Sequence, residues 1–184
     1  MTARPGNSKE MIPIAIRRSS FGDGIKGSFV ISLVDAISSP ESSEELQKAE
    51  LEYWNALRKW SKRIARIKSN KADPVERWRL ADDITGFKNR LEVKWRLQLT
   101  NTLPALSTDL GVSERSLELM LKLRKRFSLP EVKKSKIGWS KFQELVDIRN
   151  EIQMKRCLDM VSRKELKTDG DIRRFKRKAN SLHR

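Results

Sequence analysis

From Ser38 onward apolar side chains recur every three or four positions, the spacing that draws one stripe along an α-helix. Leu46, Tyr53, Trp54, Leu57, Trp60, Ile64 and Ile67 mark one stripe to about Ser69. Ser39 offers its N-cap, Pro40 sits at the first helical position, and acids fill the first turn, where the helix dipole favours them. Asp73-Pro74 opens a second helix with Trp78, Ala81, Ile84, Phe87, Leu91 and Trp95 as its stripe. Two long helices in succession predict an antiparallel hairpin, with the tryptophans in its core rather than free to stack on bases.

Leu103 to Phe127, LPALSTDLGVSERSLELMLKLRKRF, has the order of a helix-turn-helix. Gly111 stands where the chain must reverse, a position that favours positive φ. Ser113 is a good N-cap for the second helix. Leu106, Leu110, Val112, Leu117 and Met120 fall where such a unit buries its contacts. On the second helix Arg115, Glu118, Lys122 and Lys125 share one polar face. With Ser113 and Ser116 they are the candidates for contact in a DNA major groove.

Beyond Phe127 the pattern predicts a basic loop, EVKKSK, after Ser128-Leu129-Pro130. A helix follows from IGWSKFQELVDI to about Val161, with Ser140 and Gln143 spaced as a capping box. Ser162 is placed to cap a last short helix, and RRFKRK (173–178) leads into a frayed tail. At the other end, Ile12, Ile14 and Ile16 alternate like a short strand, SSFGDGIKGS (19–28) reads as loop, and FVISLVDAI (29–37) as strand or helix. The fold class is therefore mostly α: a long antiparallel hairpin, then a helix-turn-helix module, plain or winged, with a short irregular or β-containing N-terminal arm. Residues 1–38 are the arm, 39–100 the hairpin, and 101–184 the helix-turn-helix module with its basic tail.

Charge changes the picture from fold to partner. The 184 residues carry a net charge of +16, and 35% of them are charged, which points to an anionic partner rather than to any fold. The cations cluster. No acid lies between Glu52 and Asp73, a stretch holding Arg58, Lys62, Arg63 and Arg66; Lys133, Lys134 and Lys136 crowd a second; Arg173, Arg174, Lys176 and Arg177 crowd a third. Such clusters suit phosphate neutralisation. Duplex DNA is the first partner this implies and RNA the second. No stretch approaches the ~20 apolar residues of a membrane span, and the N-terminus lacks the apolar core of a signal peptide, so a cytoplasmic, nucleoid-associated protein is expected. The hairpin offers a dimerisation element or a second DNA-contacting surface.

Catalysis finds little to use. Cys157 is the sole cysteine and His183 the sole histidine, which removes histidine-based triads and structural zinc. No cofactor or metal is expected, and the chain reads as non-enzymatic. Gly22, Gly24 and Gly27 match GxGxxG, but the dinucleotide fingerprint needs a surrounding βαβ unit that a helical chain does not supply. Asp82 or Asp83 with Glu92 and Lys94 echoes a D…ExK nuclease spacing, yet falls inside a helical stripe.

The stretch from about Lys94 to Lys164 resembles the helical N-terminal domain of unknown function that precedes a PD-(D/E)XK nuclease domain in bacterial proteins. Trp95, LSTDLGVSERSLELMLKLRKRF (106–127) and IGWSKFQELVDI (137–148) carry the likeness. It implies a DNA-associated module of winged or helix-turn-helix type. The functional expectation is a sequence-specific or architectural DNA-binding protein, such as a transcriptional regulator or a plasmid or phage maintenance factor. Its rivals are an RNA-binding subunit and a basic structural subunit with an acidic partner.

Overall fold

The computed structural model describes residues 13–15, 19–21, 25–27, 30–33, 43–95, 97–100 and 102–181, with side chains at 48, 51–91, 93 and 103–181. The capping expectation at Ser39, the glycines Gly22 and Gly24, the side chains of Leu46 and Trp95, and His183 lie outside the described residues. The chain is mostly α, with eight helices among the described residues.

Four short strands come first: β1 (Pro13–Ala15), β2 (Ser19–Phe21), β3 (Ile25–Gly27) and β4 (Val30–Leu33). Helices α1 (Ser43–Ser69) and α2 (Pro74–Trp95) follow, then β5 (Leu97–Thr100). The remaining helices are α3 (Thr102–Leu110), α4 (Glu114–Arg126), α5 (Leu129–Ser135), α6 (Trp139–Leu145), α7 (Glu151–Ser162) and α8 (Asp169–Ser181). Two compact units divide the chain, one of Met1–Lys59 with Thr85–Glu114, the other of Trp60–Ile84 with Arg115–Arg184. This division differs from the three consecutive segments expected, because the long helices contribute to both units and β4 pairs with the distant β5.

In the first unit β4 lies between β1 and β5, antiparallel to both, with Ile31 opposite Ile14 and Leu99. The expected loop at 19–28 contains strand pairing instead: β2 runs antiparallel to β3, Ser20 opposite Lys26. Lys26 and Gly27 of the glycine motif are thus strand residues rather than the opening of a helix. Tyr53, Trp54, Leu57, Phe87, Leu91, Leu106 and Leu110 are buried here. The Tyr53 and Phe87 rings lie 5.9 Å apart, and the Tyr53 hydroxyl donates to the Asp109 carboxylate. Burial and that carboxylate both push the Tyr53 phenol far above its ordinary range.

After α3 the chain turns through Gly111 at φ +59°. The Val112 amide donates to the Ser107 carbonyl (3.1 Å) and the Ser107 hydroxyl to the Val112 carbonyl (2.7 Å), closing the turn. α4 then begins one residue past Ser113.

In the second unit, Pro74 opens α2 beside Asp73, whose carboxylate accepts the Val75 amide at 2.7 Å. Arg63 of α1 reaches Glu76 (3.0 Å) and Asp83 (2.7 Å) of α2, so the two helices run antiparallel here. Trp60, Ile64, Leu80, Leu117, Leu123, Phe127, Phe142, Met154 and Ile172 are buried, and Phe127 meets Phe142 edge-on at 5.3 Å. Trp78 is only half-buried, and its indole N–H donates to the Phe127 carbonyl at 2.6 Å. Arg77 is a buried cation, its guanidinium 4.9 Å from the Trp139 ring centroid and one Nη donating to the Asp73 carbonyl. Burial pulls its pKa down.

Five expectations are corrected in this unit. The basic loop at 131–136 is helix α5, because Ser128 and Glu131 form a reciprocal capping box and proline sits in the first turn. The long helix from 140 to 161 breaks into α6 and α7, because Asn150 caps a new start by accepting the Gln153 amide at 2.9 Å. Ser140 lies inside α6, whose N-cap is Gly138, so its capping box does not form. Finally, the tail is α8, with Ile172 and Ala179 buried and Phe175 half-buried. Thr168, not Ser162, caps it: its hydroxyl accepts the Asp171 amide, and the Asp171 carboxylate accepts the Thr168 amide. No strand follows Thr100 among the described residues, so no β wing stands behind α4.

Candidate nucleic-acid interface

Leu117, Met120 and Leu123 turn inward on α4, which leaves Arg115, Glu118, Lys122 and Lys125 along its opposite, polar side. The stripe expected from the spacing is thereby formed. Its charges, however, are largely answered. Arg115 bonds Glu118 (2.9 Å) and Asp147 (2.8 Å), and Lys122 bonds Glu118 (2.9 Å) and Asp147 (3.3 Å). Two cations and two carboxylates close on one another with no net charge. Hydrogen bonding to Glu118, aided by the Asp147 charge, holds the Arg115 guanidinium further toward its charged form. Bonds from Lys122 and Arg115 in turn pull the Glu118 carboxyl down. Ser113 is exposed and Ser116 half-buried.

Asp147 was not foreseen. It falls just past α6, in a segment whose pattern reads as uninterrupted helix, so nothing in the spacing brings it to α4. Its carbonyl also accepts the Asn180 amide at 3.2 Å, and the Asn180 oxygen accepts the Arg149 N–H at 2.9 Å. α8 therefore pins the segment that carries Asp147.

The phosphate-contact candidates separate into engaged and open cations. Arg63 is engaged: Asp83 and Glu76 hold its guanidinium, and only 19% of its side chain is exposed. It is withdrawn from the candidates. Arg173 (2.7 Å) and Lys176 (2.5 Å) share the Glu144 carboxylate, and Arg174 pairs with Asp171 at 2.6 Å. Arg173 and Lys176 thereby tie α8 to α6, whereas the Arg174–Asp171 pair lies within α8 and leaves Arg174 exposed. Burial alone would raise the Glu144 carboxyl, but bonds from Lys176 and Arg173 outweigh it and leave it lowered. Arg58 is exposed. Lys62, Lys133, Lys134, Lys136 and Arg177 are exposed with no acid partner among the described residues. Arg66 is 68% exposed and only grazes Glu76 at 3.9 Å.

Two of the nuclease-like acids are paired, and the side chains of Glu92 and Lys94 lie outside the described residues. Asp82 receives Arg124 at 3.0 Å and Asp83 receives Arg63, both on one continuous helix. No group of three or more potential metal ligands gathers among the described residues. No described helix is long and apolar enough to cross a membrane. The chain matches no protein-family model, no curated protein sequence and no solved structure.

Proposed function

We propose that the protein binds duplex DNA, chiefly through phosphates and with little base reading, in an architectural role. What supports the reading is the contrast between two sets of cations in one unit. The early residues of α4, where a recognition helix meets base edges, are tied to Asp147 and Glu118. Lys62 on α1 and Lys133 and Lys134 on α5 face solvent without an acid partner. Open cations release counterions from DNA regardless of sequence; closed ones must first leave their carboxylates.

The test titrates a random-sequence duplex and a structured RNA against the full chain, its Lys133→Ala/Lys134→Ala variant and its Arg115→Ala variant. The expected result is duplex binding, weakened by the double variant and changed less by Arg115→Ala. No duplex binding at low salt overturns the proposal. Tighter binding to the structured RNA moves it to that class.

A further inference from the structure

We infer that Lys125, Arg126 and Arg149 form a phosphate-binding cleft in the second unit. The cleft, about 240 Å³, is lined by these three cations together with Glu151 and Met154. The other cations of α4 with acids in reach use them: Arg115 and Lys122 take Asp147, and Arg124 takes Asp82. Lys125, Arg126 and Arg149 have no carboxylate partner among the described residues. The one acid on the rim, Glu151, pairs with Lys155 at 3.2 Å. Three like charges thus line one concavity and outnumber its single acid, Glu151, which Lys155 already engages, an arrangement that an entering anion relieves.

Shape and rigidity narrow the ligand. A cleft of about 240 Å³ lies below the ~300–1,000 Å³ of pockets for drug-sized molecules, but it accommodates a phosphate group and its waters. Guanidinium forks match phosphate oxygens two at a time, and an ammonium adds a point charge. Arg126 is already positioned, since one Nη donates to the buried Ile148 carbonyl and lies 3.5 Å from the Met154 sulfur. Asn180 fixes the Arg149 backbone N–H at 2.9 Å. Asn150 takes the Gln153 amide, so the side chains, not the start of α7, carry the recognition. Resting on the DNA-binding reading, the expected source of the phosphate is a nucleic-acid backbone; a free phosphate is the other source of the same chemistry.

The experiment uses the full chain and its Lys125→Ala/Arg149→Ala variant, which spares the structurally engaged Arg126. A Lys167→Ala/Lys178→Ala variant carries the same charge change elsewhere. Melting curves first establish that both fold. Inorganic phosphate is titrated while backbone amide shifts are followed at 125, 126 and 149–151, and a random-sequence duplex is titrated at several salt concentrations. The expected result is saturable phosphate shifts around the cleft that the cleft variant abolishes. Duplex affinity should fall about tenfold and the salt slope flatten by about one unit, beyond the control. Phosphate shifts with duplex affinity unchanged support the cleft and assign it to free phosphate. A duplex effect without phosphate shifts supports it as a backbone grip. Neither effect, in a chain that binds duplex, overturns the cleft and leaves the DNA-binding proposal standing. Phosphate shifts in a chain that binds no duplex do the reverse.

Discussion

A single carboxylate, Asp147, sets the charge of the early α4 face. It lies between Arg115 and Lys122 and, with Glu118, cancels them. Its side chain is 26% exposed, and ion pairs so near solvent contribute roughly 0–1 kcal/mol to stability. Asp147→Asn should therefore leave the urea midpoint almost unchanged. It should tighten duplex binding more than Asp159→Asn, because the negative charge it removes lies between Arg115 and Lys122 and leaves them only Glu118 as a partner. Equal gains in the two variants would mean that the network does not restrain Arg115 and Lys122. Glu144 behaves differently, being held by both Arg173 and Lys176 with its side chain only 16% exposed. Because its pKa is lowered in the fold, its stabilisation is complete above the unfolded value near 4.3 and disappears as pH falls through the folded value. Glu144→Gln should cost about 1–2 kcal/mol at pH 7, a cost that shrinks as pH falls through the folded value of Glu144. Urea midpoints in a series from pH 7 downward check this, and a cost independent of pH would deny the charge pairing.

At the scale of elements, α8 carries the clearest consequence. Its Ile172 is fully buried and Ala179 nearly so, while Asn180 bonds the backbone on either side of Ile148. Burying one such isoleucine contributes about 1.5–3 kcal/mol, so removing the residues after Asp171 should lower the melting temperature by about 3–12 °C. A preserved melt would show that α8 does not dock. At Gly111, φ is +59° and no atom lies within 4 Å of an added Cβ. Gly111→Ala should thus cost only the conformational penalty, about 1 kcal/mol, and Gly111→Asn less. α1, α2 and α4 were legible in the sequence because strong apolar stripes cross them; Tyr53, Leu57, Ile84, Phe87, Leu117 and Met120 are all buried as the spacing requires. The shorter helices were not. α5 and α6 have seven residues each, too few to display a period, and their limits depend on capping residues. Ser128 with Glu131 and Thr168 with Asp171 are capping signals that the sequence contains. Asn150 interrupts a stripe that otherwise reads as continuous. The polar stripe on α4 was legible too, but its neutralisation was not, because Asp147 reaches it only through tertiary packing.

For the whole molecule, the net charge of +16 does not translate directly into phosphate contacts. Arg63, Arg115, Lys122, Arg124, Arg173, Arg174 and Lys176 are each held by an acid. The cations left open include Lys62, Lys125, Lys133, Lys134, Lys136, Arg149 and Arg177, and one duplex need not meet all of them. A complex using about six phosphates loses roughly 10³ in affinity between 50 and 200 mM salt. The full chain on random-sequence duplex should show a fall of that order, with a logarithmic slope well below the formal charge. Binding curves across that salt range measure it directly. A flat dependence would remove phosphate contact as the source of affinity. A slope approaching the full charge would mean that the chain engages far more than six phosphates at once, so that most of its open cations meet the backbone together.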